Sequence, residues 1–234
     1  MHIPEGYLSP STCLTLTGAM LPIWYRASAA ARAGLDAARV PFLAMGAVFS
    51  FLIMMFNIPI PDGTTAHAAG GVLIAIVLGP WAAVIAVSVA LLIQALLFGD
   101  GGVLSFGANA LNLAFIMPFT GYYIYRLAAG SSPAGSARRL FAAALGAYIG
   151  LNLAALATAV QFGIQPLLFT AADGTPLYCP YGLEVAIPAM LIPHLTIAGF
   201  AEAAVTALAL KYVLKTSPEM LVAARPAAEE ETSC

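Results

Sequence analysis

The chain has 234 residues, of which 61% are hydrophobic and only 9% are charged, with 9 basic and 11 acidic residues and a formal net charge of −2. Ordinary soluble domains carry roughly 25% charged residues, so the composition excludes a soluble protein. It also lacks the basic surplus that binding to nucleic acid requires. Long runs without Asp, Glu, Lys or Arg are typical of membrane-spanning helices, which need about 20 mostly apolar residues.

Seven membrane-spanning helices are predicted, over residues 9–28, 40–57, 65–78, 80–98, 107–126, 138–163 and 186–212. The apolar run from Gly63 to Gly99 is too long for one span, and Gly79-Pro80 within it predicts a break between two helices. The predicted fold class is therefore all-α: a polytopic membrane bundle of seven transmembrane helices.

The basic residues predict the orientation, because Lys and Arg concentrate on the cytoplasmic side of a membrane. With seven spans they share one face: Arg26, Arg32, Arg39, Arg126, Arg138, Arg139, Lys211, Lys215 and Arg225. We therefore expect a multi-pass protein of a prokaryotic cell membrane, surrounded by lipid, with its N-terminus outside and its C-terminus in the cytoplasm. Residues 1–215 form the predicted transmembrane metal-binding domain, and residues 216–234 a short cytoplasmic tail of a composition typical of disorder.

The N-terminal sequence predicts a metal chelate on the outer face. No signal peptide precedes Gly6, so Met1 is expected to keep a free amine. This amine, the backbone amide nitrogen of His2 and the Nδ1 of its imidazole can bind one ion, and His67 is the candidate for a fourth nitrogen. A planar set of four nitrogens suits Ni(II) or Cu(II), or Co(II) with added axial ligands, better than tetrahedral Zn(II).

Three residues are candidates for supporting this site. Thr64 or Thr65 is predicted to cap the third helix, which would put His67 in its first turn, where the helix dipole favours a neutral imidazole. Asn109 and Thr65 are expected beside the metal ligands. For His194, within the seventh helix, both a structural role and a role beside the metal are open.

Two further features complete the prediction. Glu202 lies two turns further toward the cytoplasm and is expected to lie outside the metal site, with an internal partner, a subunit contact and a coupling role all open. The segment from Ile164 to Glu184 is a predicted outer loop able to cover the site. No Walker A motif is present, so the chain is predicted to be no enzyme and to depend on partners or an ion gradient for energy.

Four segments together resemble the CbiM/NikM family, and the resemblance extends from Met1 to about Tyr212. They are Met1-His2-Ile3-Pro4-Glu5-Gly6-Tyr7-Leu8-Ser9-Pro10, Gly63-Thr64-Thr65-Ala66-His67-Ala68, Leu78-Gly79-Pro80-Trp81-Ala82, and Gln94-Ala95-Leu96-Leu97-Phe98-Gly99-Asp100-Gly101-Gly102 followed by Gly107-Ala108-Asn109. Members of this family are the substrate-binding S components of energy-coupling factor (ECF) transporters for cobalt or nickel. The resemblance implies a six-helix core with one added N-terminal helix, and metal ligands at Met1, His2 and His67.

The resemblance also implies partners: a transmembrane coupling (T) subunit, cytoplasmic ATPase subunits and a small accessory membrane protein. The stretch before His67 is more similar to nickel members, so Ni(II) is the predicted transported substrate, without an organic cofactor. Cobalt uptake for cobalamin biosynthesis is the alternative. Outside the family, the alternatives are a self-contained metal channel or permease, an intramembrane enzyme using His194 and Glu202, and an assembly subunit whose Met1-His2 start is incidental.

Overall fold

The computed structural model describes residues 2–34, 40–60 and 64–217, and only the backbone of Ile60, Thr64 and Thr65. Met1 and residues 218–234, most of the predicted tail, lie outside this description. The described chain is a helical bundle, as predicted, with one short β-hairpin. Its elements are α1 (Pro10–Gly34), α2 (Val40–Met54), β1 (Ile58–Ile60), β2 (Thr64–Ala66), α3 (Gly71–Leu78), α4 (Pro80–Phe98), α5 (residues 106–129), α6 (Ala137–Gly163), α7 (Gln165–Leu168) and α8 (Leu183–Thr216).

Three helices in the described ranges are long and apolar enough to cross a membrane, namely α4, α6 and α8. Helix α2 is also apolar but has only 15 residues. Helices α5 and α6 approach each other closely where α6 carries Gly146 and Gly150. A Cβ atom on Gly150 would lie 2.6 Å from the carbonyl oxygen of Met117 on α5, so this contact requires a glycine.

The third helix begins later than predicted. Thr64–Ala66 is the strand β2, paired antiparallel with β1 so that Ala66 lies opposite Ile58, and α3 starts only at Gly71. The predicted threonine cap is therefore wrong, and His67 lies outside any helical turn. Adjacent threonines favour a strand because their branched side chains fit its pleated surface. Residues 67–70 are instead non-helical chain between β2 and α3, which we call the His67 loop.

Wide π-helical turns interrupt three helices, at Gln94–Phe98 in α4, Ala110–Ile116 in α5 and His194–Ala198 in α8. Each contains a buried polar side chain: Gln94, Asn112 and His194. Pro118 and Pro193 lie beside two of these turns, and a proline cannot donate the backbone bond of a regular α-helix. Turns of this kind are frequent at functional sites.

Asn112 and Asn152 form different hydrogen bonds. Asn112 on α5 donates to Thr158 at 2.9 Å and to Gln161 at 2.8 Å, both on α6, and thus joins the two helices. Asn152 instead donates to the carbonyl of Tyr148 within its own helix.

Candidate metal centre

The N-terminal segment, residues 2–9, is folded into the bundle ahead of α1. The N–H of Ile3 donates to Oδ1 of Asn109 at 2.8 Å. Its carbonyl accepts from Nδ2 of Asn109 at 3.1 Å, Oγ of Ser105 at 2.8 Å and the N–H of Gly102 at 2.9 Å. Because both backbone groups of the fully buried Ile3 are bonded, the position of the preceding His2 is fixed.

The turn between α4 and α5 can receive this segment because it carries glycines. A Cβ atom on Gly102 would lie 2.6 Å from Oγ of Ser105 and 2.8 Å from the backbone nitrogen of Glu5. Gly101 has a φ of +86°, a left-handed conformation that side chains disfavour. The Gly101-Gly102 pair thus permits a close backbone contact with the N-terminal segment.

His2 points inward, and only 5% of its side chain is exposed, whereas 34% of the Asp100 side chain is exposed. The Nδ1 of His2 lies 3.1 Å from Oδ1 of Asp100. Burial lowers the pKa of His2, and the hydrogen bond to Asp100 opposes that shift. The same hydrogen bond lowers the pKa of Asp100. The contact between Asp100 and His2 was not predicted, although Asp100 lies within one of the motifs of the family resemblance.

His67 packs against His2. The two imidazole rings are stacked, with centroids 4.7 Å apart and planes inclined by 23°, and His67 is 1% exposed. Its Nδ1 lies 3.1 Å from the carbonyl oxygen of Ala68. This bond assigns the proton of a neutral ring to Nδ1, which leaves the lone pair on Nε2, the arrangement that a metal-binding histidine requires.

Glu202 of α8 holds the His67 loop. Its carboxylate accepts from the N–H of Ala69 at 2.6 Å and from the N–H of Gly70 at 3.0 and 3.2 Å. Oγ of Ser50, on α2, donates to the carbonyl of Ala69 at 2.8 Å. Of the alternatives left open for Glu202, the structure thus gives it an internal partner: the backbone of the His67 loop, which runs among α2, α3 and α8.

The other candidates are placed less directly. Asn109 supports the N-terminal segment, and Met1 and the side chain of Thr65 lie outside the described part of the chain.

His194 is buried. Its Nδ1 lies 2.7 Å from the carbonyl of Met190 in the same helix, and its Nε2 has no hydrogen-bond partner among the described residues. The fully buried Gln94 lies beside His2, and its side chain raises the pKa of that imidazole through a hydrogen bond. No three His, Cys, Asp or Glu side chains in the described ranges converge to hold a metal ion.

The loop of residues 164–184 contacts the N-terminal segment. It begins with the short helix α7, in which Oε1 of Gln165 accepts from the N–H of Ser9 at 2.9 Å. Further on, the N–H of Cys179 donates to the carbonyl of Tyr7 at 3.0 Å. The loop thus lies against the segment that carries His2.

Residues 2–220 match the family described as CbiM, the cobalt uptake substrate-specific transmembrane region. The fused nickel transport protein NikMN of Rhodobacter capsulatus is 53% identical over 98% of this chain and 67% of its own length. The probable fused nickel transport protein LarMN of Lactiplantibacillus plantarum is 51% identical over 94% of this chain and 66% of its own. This chain therefore spans about two thirds of the length of each fused protein. A crystal structure of a truncated transition metal transporter is 55% identical and matches with a TM-score of 0.87, over 92% of this chain and 99% of that one.

Proposed function

Because this chain belongs to the CbiM family of substrate-specific transmembrane regions, and is thus a multi-pass membrane transporter subunit rather than an enzyme, we propose that it captures Ni(II) for an ECF-type importer. Its part is that of the substrate-binding membrane subunit. The ion is bound on the outer side of the cell membrane and is the transported substrate.

The observation that carries this proposal is the contact between His2 and His67. The two residues are far apart in the chain, yet their buried rings lie with centroids 4.7 Å apart. With metal–nitrogen bonds of about 2.0 Å and a ring centre about 1.1 Å beyond the nitrogen, two imidazoles at neighbouring positions of one ion have centroids roughly 4.4 Å apart. The separation of the ring centres is therefore close to this value, and binding of one shared ion would require the stacked rings to turn so that Nδ1 of His2 and Nε2 of His67 both face it.

The remaining donors follow from the chemistry of the N-terminus. We assign the amine of Met1, the deprotonated amide nitrogen and Nδ1 of His2, and Nε2 of His67 as the four ligands. When the ion enters, the Nδ1 of His2 gives up its bond to Asp100, and the proton of the neutral ring is carried on Nε2 instead. The carboxylate, 3.1 Å from that nitrogen before binding, then stays close to the ion and balances part of its charge.

Nickel is favoured over cobalt on two grounds. Four nitrogens in a plane suit Ni(II), and the two relatives described above, at 53% and 51% identity, are named nickel transport proteins. Co(II) is the second candidate, because the family is described by cobalt uptake.

The topology and the partners belong to the same proposal. We assign seven transmembrane helices, a six-helix core with α1 added, within a domain of residues 1–215. The N-terminus lies outside, and residues 216–234 are the cytoplasmic tail.

The partners are a T subunit and cytoplasmic ATPases, which supply the energy, and a small accessory membrane protein. The greater length of the fused relatives is consistent with further components. A self-contained permease would instead transport nickel in cells that lack those ATPases.

The test is the metal content of the purified chain, loaded with equal concentrations of Ni(II) and Co(II). We expect one nickel ion per chain and little cobalt. If cobalt predominates, Co(II) is the transported substrate instead. If the chain retains neither metal, both assignments are refuted.

A further inference from the structure

Glu202 is an acid in an unusual position. It is fully buried in the part of α8 that follows the π-helical turn, and it forms no salt bridge with any described residue. A charge without a counterion is costly to bury. The carboxylate accepts from the N–H groups of Ala69 and Gly70, with the side chain of Thr206, one turn further along α8, as an additional hydrogen-bonding group. Its contacts outside α8 are therefore with one segment of backbone.

That segment directly precedes α3. Gly70, the residue before the helix, has a left-handed φ of 71° and provides no side-chain cap. The N-terminus of a helix carries partial positive charge, which a nearby carboxylate balances. Glu202 thus places a carboxylate in front of α3, where the local sequence has no capping side chain.

We propose that Glu202 is a positioning residue for metal capture, acting through His67; this inference rests on the proposed function. Ala69 is held at its N–H by Glu202 and at its carbonyl by Ser50. His67 is only two residues earlier in the same loop. These two contacts, from α8 and α2, fix the backbone that directs the imidazole toward His2.

The geometry requires a carboxylate rather than an amide. Both oxygens of Glu202 accept hydrogen bonds, and the carboxylate receives two consecutive backbone donors. In Glu202→Gln one of these oxygens becomes an NH₂ group, which cannot accept from a backbone N–H. The substitution therefore keeps the size of the side chain and removes part of its hold on the loop.

The experiment is a double-mutant cycle of Glu202→Gln and His67→Ala, with nickel affinity measured on the full chain in detergent. We expect Glu202→Gln to weaken binding about 10- to 100-fold, the usual cost of losing a residue that orients a metal ligand. In the His67→Ala background it should weaken binding no further, because the two residues act as one unit. The visible absorption of bound nickel in Glu202→Gln should shift toward that of His67→Ala.

Thr158→Val is the matched control, since Thr158 is fully buried and bonds Asn112 between α5 and α6. We expect its nickel affinity and spectrum to match the unsubstituted chain. If Glu202→Gln does not yield folded protein, Glu202→Asp, which keeps the charge and withdraws it by one methylene group, enters the same cycle.

The outcomes separate the two proposals. An unsubstituted chain that binds no nickel overturns the proposed function. Normal binding and an unchanged spectrum in the Glu202 variant overturn the positioning role alone. An equal loss of affinity with and without His67 also overturns it, because Glu202 would then support the fold in general.

Discussion

The two histidines of the site are held by different kinds of contact. His2 belongs to the N-terminal segment, in which three neutral groups bond the carbonyl of Ile3 and a fourth bonds its N–H. His67 belongs to a loop held by one buried carboxylate and one serine. The contacts of Ile3 come from the Gly101-Gly102 turn, Ser105 and α5, and those of the His67 loop from α2 and α8.

This difference predicts unequal sensitivity to substitution. Where several neutral hydrogen bonds share a task, the loss of one leaves the others, and each contributes only about 1 kcal/mol. A buried charge that satisfies two backbone donors leaves both unsatisfied when it is removed. The His67 loop should therefore depend on one residue, whereas the N-terminal segment should tolerate the loss of any single side-chain contact.

The largest effect is expected from extending the N-terminus. An uncleaved tag before Met1 converts the terminal amine to an amide and inserts chain beside a His2 that is only 5% exposed. Nickel binding, measured by isothermal titration, should be lost although His2 is retained. The same tag at the C-terminus is the control, and full affinity in the N-terminally tagged chain would contradict the chelate.

His67→Ala should come next, because it removes one of four ligands. We expect nickel affinity to fall by at least roughly 100-fold, the upper range for losing a residue that only orients a ligand. His194→Ala is the matched control: this buried ring bonds the carbonyl of its own helix, and its loss should weaken nickel binding much less. Equal losses in equilibrium dialysis would place His194 at the metal as well.

Asn109→Leu tests whether the N-terminal segment tolerates the loss of a single side-chain contact. It removes two hydrogen bonds to Ile3, but Ser105 and Gly102 continue to bond the same carbonyl. We expect a loss of about tenfold or less in nickel affinity, the lower end of the range for such contacts. Asn152→Leu is the matched control. The Asn152 amide donates to a carbonyl of its own helix, so this substitution should have no effect on nickel binding. A loss in Asn109→Leu as large as in Glu202→Gln would remove the distinction between the two regions.

The last prediction concerns pH. Burial lowers the pKa of His2 from an ordinary value of about 6.5, so its imidazole is already neutral above that pH. The amine of Met1 and the backbone amide of His2 must each lose a proton to bind nickel, so the affinity should fall roughly tenfold per pH unit for each of these protons as the solution is acidified from neutral pH.

Asp100→Asn tests whether Asp100 affects the acid release of nickel through the pKa of His2. The hydrogen bond to Asp100 raises the pKa of His2 against the effect of burial, so its loss should move acid release of nickel to a lower pH. Titrations of nickel at a series of pH values will measure the midpoint. A midpoint that moves to higher pH would show that the carboxylate acts mainly as a counter-charge to the ion.

The sequence was sufficient for the helical class and for the approach of His2 to His67, but not for the contact of Asp100 with His2. Apolar runs identify most helices, and Gly79-Pro80 correctly separates α3 from α4. The β-hairpin and the π-helical turns were not predicted, because strands of three residues and single wide turns leave no periodic signal. The role of Glu202 was missed for a related reason: its partners are backbone N–H groups, which no side-chain pattern records.

The π-helical turn at His194–Ala198 also constrains the length of the chain. Such a turn holds more residues than a regular α-helical turn, and each residue of an α-helix rotates the following ones by about 100°. Deleting one residue here would restore a regular helix but turn Glu202 away from Ala69 and Gly70. Substitutions between positions 194 and 202 therefore keep Glu202 on the same side of the helix, whereas insertions and deletions there would rotate it away.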